Sequence, residues 1–188
     1  MGNFYTNFTL RGPSQQAIAD ALAGRSAFVT PAKDGSIVVF DEQSDEQDRY
    51  AITGLAESLS QEFDCPVLAV LNHDDDILWY QLYLGGELAD EYDSSPGYFN
   101  EFADRSEPSG GDAEKLCSAF GATDVLSVER VLRKASFADG GYTFAVKRHA
   151  DLARALGIPS FGVGTGFGYI SAGELPKGLE EDDLIRVT

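Results

Sequence analysis

The chain has 188 residues, with 31 acidic and 14 basic side chains and a formal charge of −17. That length holds one compact domain, or a domain of ~100 residues with a smaller companion. So negative a coat repels phosphate backbones and anionic lipid, which argues against nucleic-acid and membrane roles and leaves a basic protein as the partner that charge favours.

The opening "MGNFYTNFTL" fits two acceptor patterns, one for N-terminal myristoylation and one, Asn7 to Thr9, for N-glycosylation. It also alternates: Phe4, Phe8 and Leu10 share one parity with Thr6, while Asn3, Tyr5, Asn7 and Thr9 take the other. Period two is the mark of a half-buried strand. No basic stretch leads into an apolar core, so no signal peptide is read and the sequon stays unused. A single lipid chain needs basic neighbours for stable anchoring, and only Arg11 is near. The strand reading therefore prevails, and the expected location is the cytoplasm.

Gly12 and Pro13 then open a helix whose stripe is Ala17, Ile18, Ala21 and Leu22. "SAFVTPAKDGSIVVFD" reads as a hairpin, with strands at 27–30 and 37–41 about a turn at Lys33, Asp34 and Gly35. "DEQSDEQD" reads as a solvated loop. Ile52, Leu55, Ala56, Leu59 and Phe63 make a second helical stripe, and "PVLAVL" is the continuous apolar run of a central strand. "ILWYQLYL" and "ELADEY" come next as strands joined by the two-residue turn Gly85 and Gly86.

The order β-α-β-β-α-β resembles the ferredoxin-like plan, extended by one or two strands. The expected class is α+β, an antiparallel or mixed sheet with two helices on one face. The expected division is a sheet domain over 1–98, a linker or long loop over 99–111, and a helical C-terminal portion over 112–188, with one compact domain overall as the alternative. In that portion Ala113, Leu116, Cys117 and Phe120 form one stripe behind a capping Asp112. Val125, Val128, Val131, Leu132 and Ala135 form another. Ala145, His149, Leu152, Ala153 and Leu156 form a third, stopped by Gly157.

No sequence motif assigns an activity. In "SFGVGTGFGYI" glycine stands at 162, 164, 166 and 168, but neither the dinucleotide nor the P-loop template fits. If the stretch is extended, the glycines share one bare face, and Phe161, Val163, Thr165, Phe167 and Tyr169 share the other. In "NHDDD", Asn72, Asp74 and Asp76 match the first ligands of a calcium loop, but Ile77 and Tyr83 stand where its glycine and glutamate are required, so a polar turn is expected. Two histidines, His73 and His149, do not make a multi-histidine metal site. Cys65 and Cys117 read as small buried hydrophobes. No metal and no cofactor is expected.

Two functions of different class are in view. The first is a non-catalytic interaction module, immunity- or inhibitor-like, binding a basic partner through Trp79, Tyr83, Glu87, Glu91, Tyr92 and Asp93. Tyrosine and tryptophan supply contact area with a polar handle, and the carboxylates supply charge. The other reading of these rings, as ordinary core and cross-strand pairs of a sheet, is the one alternating strand aromatics favour. The second is a small-molecule or enzymatic site between the sheet and the C-terminal helices, lined by His149, Phe161, Gly164, Thr165, Gly166, Phe167 and Tyr169, with His149 as its base.

Overall fold

The computed structural model describes residues 2–98 and 107–188. The chain runs β1 (Tyr5–Arg11), α1 (Gln15–Ala21), β2 (Ala27–Val29), β3 (Ser36–Asp41), α2 (Glu42–Asp45), α3 (Arg49–Phe63), β4 (Val67–His73), β5 (Ile77–Leu84) and β6 (Glu87–Asp93). It continues with β7 (Ser109–Gly110), α4 (Ala113–Phe120), α5 (Val125–Arg133), α6 (Ala145–Leu156), α7 (Phe167–Ser171) and β8 (Ile185–Val187), with 3-10 turns at Ser160–Gly162 and Glu181–Asp183. The protein is mixed α+β. Its described strands form one eight-stranded sheet in the order β7-β6-β5-β4-β1-β3-β2-β8, antiparallel at every pairing. Of the expected linker, residues 99–106 lie outside the described residues. Residues 109–110 are not linker but β7, which pairs with Tyr92 and Asp93.

β1 is the hub, paired to β3 on one side and β4 on the other. Its two parities face two different layers. Phe8 and Leu10 join Ile18, Leu22, Ile52, Leu55 and Leu59, so α1 and α3 cover the first face. On the second face Leu68, Val70, Leu78 and Tyr80 pack under Leu116, Phe120, Leu132 and Leu152 of α4, α5 and α6. Beside them Phe28, Val38 and Phe40 pack under Phe161, Phe167 and Ile170. Each such side chain contributes ~1.5–3 kcal/mol by leaving water. A half-buried β1 was the expectation from its alternation; both parities are in fact buried, because the C-terminal helices roof the polar side.

Between these two second-face clusters runs a polar seam. Asn7 Nδ2 donates to the carbonyls of Gly162 (2.7 Å) and Thr165 (3.0 Å), tying the glycine-rich stretch to the sheet. That stretch is not extended. It makes a 3-10 turn, crosses Gly164 at φ +74°, and enters α7, so its glycines share no face. Glycine is required at 166 because a Cβ there would collide with Asp45 Oδ1 and lie 2.9 Å from Tyr5 Cβ.

The acidic loop is not simply solvated either. It folds as α2, with buried Asp41 capping it at Ser44 and gripping Arg25 bidentately at 2.8 Å. Asp45 accepts from the backbone N–H groups of Thr6 (3.0 Å) and Gly168 (2.8 Å), so one carboxylate staples α2 to both β1 and α7.

Candidate functional site

The aromatic segment lies in the interior. Trp79, Tyr83 and Tyr92 are 2%, 4% and 0% exposed, which corrects the expectation that they form a docking face. β5 is covered on both sides: Trp79 and Tyr83 belong to the α3 layer, while Tyr80, stacked on Tyr92 of β6 at 5.2 Å, belongs to the α4–α6 layer. Arg49 lies over the Trp79 ring, 4.9 Å from its centroid, and Glu91 Oε1 accepts from Trp79 Nε1 (3.0 Å) and Gln81 Nε2 (3.2 Å). Glu87 and Glu91 remain exposed. Asp93 is half-buried, and burial raises its carboxyl pKa against the opposing effects of the Ser95 backbone and Arg49.

The second expected site is divided. Phe161 and Phe167 turn into the Phe28–Phe40 cluster, and Tyr169 is half-buried, its Oη accepting from Phe4 N–H at 3.1 Å. His149 instead meets Tyr5, with Nδ1 2.9 Å from the phenol oxygen. The network sets the proton positions. Asp75 N–H donates to Asn72 Oδ1 (3.1 Å), which turns the Asn72 amide nitrogen to Tyr5 Oη (3.3 Å). Tyr5 thus accepts from Asn72 and donates to His149, leaving the neutral imidazole protonated at Nε2. Burial pushes the His149 pKa down to about 4, and burial also raises that of Tyr5, with the Asn72 and Gly164 hydrogen bonds opposing. Gly164 is therefore at this network. Thr165 and Gly166 are buried and held by the seam rather than lining an opening.

The "NHDDD" stretch is a turn, as expected. Asp74 (φ +52°) and Asp75 (φ +60°) are its two central residues, closed by Asp76 N–H to the His73 carbonyl at 3.0 Å. Both positive angles make it a hairpin turn of the primed type, which Asp and Asn tolerate. Asp75 does more than turn the chain: Oδ1 accepts from Val146 N–H (3.0 Å) and its carbonyl from Ala145 N–H, so it caps α6, whose own N-cap Phe144 offers no side-chain acceptor. Among the described residues no group of three or more His, Cys, Asp or Glu is placed to hold a metal.

Sequence reasoning missed a groove at the β2–β8 end of the sheet. Its volume is about 450 Å³. Phe28, Ile170, Leu175 and Leu184 give an apolar floor, and Glu181 and Asp182 stand exposed on the rim. A second hollow, sharing Ser171 and Arg186 with the first, is lined by Glu42, Asp45 and Glu46. Burial raises the Asp45 pKa, with backbone donors from Gly168, Thr6 and Phe167 opposing. The Arg186 guanidinium lies between the hollows, 5.6 Å from the Phe28 ring centroid. The signal in the sequence was the acidic run at 180–183 continuing at once into Leu184, Ile185 and Arg186. The groove itself needs β8 beside β2, a pairing of residues more than 150 apart.

No family model, no curated protein and no solved structure matches this chain.

Proposed function

We propose that this protein is a non-catalytic interaction module that binds a basic partner protein in the acid-rimmed groove between α7, the Glu181–Asp183 turn and the β2–β8 edge. The carrying observation is the pairing of an apolar floor with a carboxylate rim at Glu181 and Asp182, with Glu42 and Glu46 lining the hollow that adjoins the groove at Ser171 and Arg186. A cationic side chain with an apolar neighbour satisfies both parts. Arg186 supports the chemistry from within, since a guanidinium already rests on the Phe28 ring there. The charge of −17 would steer such a partner in from a distance. The immunity- or inhibitor-like character belongs to this reading: the module occludes a basic surface.

The fold reading that goes with it treats β1 to β4 as the split β-α-β plan. The order β4-β1-β3-β2, with α1 and α3 on one face, supports that reading; β5 to β8 extend it at both ends. We read the chain as one sheet-centred unit, supported by β8 on β2 and by α6 on β4 and β5. Among the described residues no helix is long and apolar enough to cross a membrane. Two unpaired buried cysteines suit a reducing compartment such as the cytoplasm.

The test is capture of a stoichiometric partner from native lysate at low salt, repeated with Glu181→Lys combined with Asp182→Lys. Binding should fall steeply with salt and vanish in the variant while its Tm is unchanged. A partner that ignores both salt and the substitutions would refute the groove as the site.

A further inference from the structure

The chain carries, on the far side of the same face, a surface complementary to its own groove. Arg130, Arg133, Lys134, Lys147 and Arg154 are exposed within 25 residues that hold only Asp139 and Asp151 as acids, with Glu129 just before them paired to Arg133 at 2.9 Å. Three of these, Lys134, Lys147 and Arg154, are linked in space through Tyr142, Asp151 and the buried Arg148 beneath them. Lys134 Nζ lies 4.9 Å and Arg148 Cζ 4.4 Å from the Tyr142 ring centroid. Tyr142 Oη donates to Asp151 Oδ2 (3.0 Å), and Asp151 Oδ1 accepts from Lys147 (2.8 Å) and Arg154 (2.7 Å). In this described network a single carboxylate stands among three exposed cations and one buried guanidinium. The same loop presents two phenylalanines to solvent, Phe137 at 48% and Phe144 at 57% exposure. Phe137 holds φ +59°, a left-handed conformation unusual for a bulky residue. Rings so exposed add little to the packing of the loop itself.

We infer that this basic, phenylalanine-bearing patch of one copy docks in the acid-rimmed groove of another, so that the protein associates head to tail with itself. The inference rests on the groove reading and names a homotypic occupant for it. Each half supplies what the other lacks: apolar rings flanked by lysines and arginine, against an apolar floor flanked by Glu181 and Asp182. One chain cannot satisfy itself. α6 sits over β4 and β5, and the groove lies at β2 and β8, three and four strand steps from β4 or roughly 15–20 Å across the sheet. The net charge opposes association, but beyond ~8 Å it is screened at physiological salt, while apposed charges at the interface are not. Because the two surfaces differ, the contact is heterologous and propagates instead of closing as a two-fold dimer. Self-association would mask the groove until a basic partner displaces the neighbouring copy.

Sedimentation velocity of the full chain tests this. The wild type should show a concentration-dependent rise in sedimentation coefficient at moderate salt, lost by roughly 1 M salt, where the screening length falls to ~3 Å. A patch variant (Lys134→Glu with Phe144→Ser) and a groove variant (Glu181→Lys with Asp182→Lys) should each remain monomeric with unchanged circular dichroism. Their equimolar mixture should form dimers and nothing larger, because only one intact patch meets one intact groove. A monomeric wild type, or a mixture that fails to pair, overturns the inference. A synthetic Lys-Phe-Lys peptide separates the two readings. If it binds the wild type but not the groove variant while the wild type stays monomeric, self-docking fails and the groove reading stands. If the peptide does not bind and the wild type is monomeric, both fail. If the peptide dissociates the wild-type oligomer, both are supported.

Discussion

The imidazole of His149 and the phenol of Tyr5 share one hydrogen bond of 2.9 Å at the polar seam, stacked at a centroid distance of 5.7 Å. α6 is thereby fastened to β1 by a neutral histidine. Burial lowers the folded-state pKa of that histidine to about 4, below the ~6.5 of an unfolded chain. Between those values the unfolded state binds the extra proton. The contribution is therefore fully present above pH ~6.5 and is lost as pH falls toward 4, by up to ~3 kcal/mol. Urea unfolding from pH 7 to pH 4 should show that loss in the wild type and a shallower one in His149→Gln. Parallel curves for the two proteins would remove His149 as the cause.

Asp75 makes its contribution to a helix far away in sequence. It caps α6 at Val146 and also accepts from Asn3 Nδ2 at 2.7 Å and Asn72 Nδ2 at 3.1 Å. Asp75→Ala removes the side-chain cap and places alanine at a positive φ, and should cost about 2–3 kcal/mol. Asp75→Asn keeps an oxygen and tolerates the turn, and should cost less than half as much. Denaturant midpoints at pH 7 check the ranking, and equal losses would show that the cap is not the principal effect.

Two glycines on one chain should respond oppositely to alanine. At Gly166 the new Cβ meets the Asp45 carboxylate and Tyr5, so Gly166→Ala should cost at least ~2 kcal/mol by displacing the staple between α2, β1 and α7. At Gly54, exposed within α3, nothing lies within 4 Å of a built Cβ. Gly54→Ala should stabilise by about 0.5–1 kcal/mol through helix propensity. Thermal melts of the pair read both signs at once.

Much of the sheet was legible because its signals are local. The primed turns at Asp74–Asp75 and Gly85–Gly86 derive from residue type, and "PVLAVL" is central, as a continuous apolar run should be. "ILWYQLYL" carried the same message, since both of its parities are apolar and both are buried; its rings are core for that reason and not a surface. What was not legible depends on long-range pairing. Nothing local says that β8 returns to β2, that the C-terminal helices roof the polar parity of β1, or that Asp45 finds backbone donors on two distant elements. The groove is a product of those returns.

Arg148 is 1% exposed, yet it forms no ion pair within 4.0 Å of a carboxylate among the described residues. Its Nη1 donates to Tyr92 Oη and the Val131 carbonyl, both at 2.8 Å, and Nη2 to Ser136 Oγ at 2.9 Å. Burial lowers its pKa, and the neighbouring tyrosines Tyr92 and Tyr142 oppose that shift. The guanidinium therefore joins α5, α6 and β6 through neutral acceptors and an aromatic face. Arg148→Met would strip a donor from each of the three acceptors and should cost about 2–4 kcal/mol. Arg148→Lys keeps the charge but cannot reproduce the planar fork, so it should recover little of that loss. If lysine restored the wild-type denaturant midpoint, charge alone would account for the site and the directional hydrogen bonds would not.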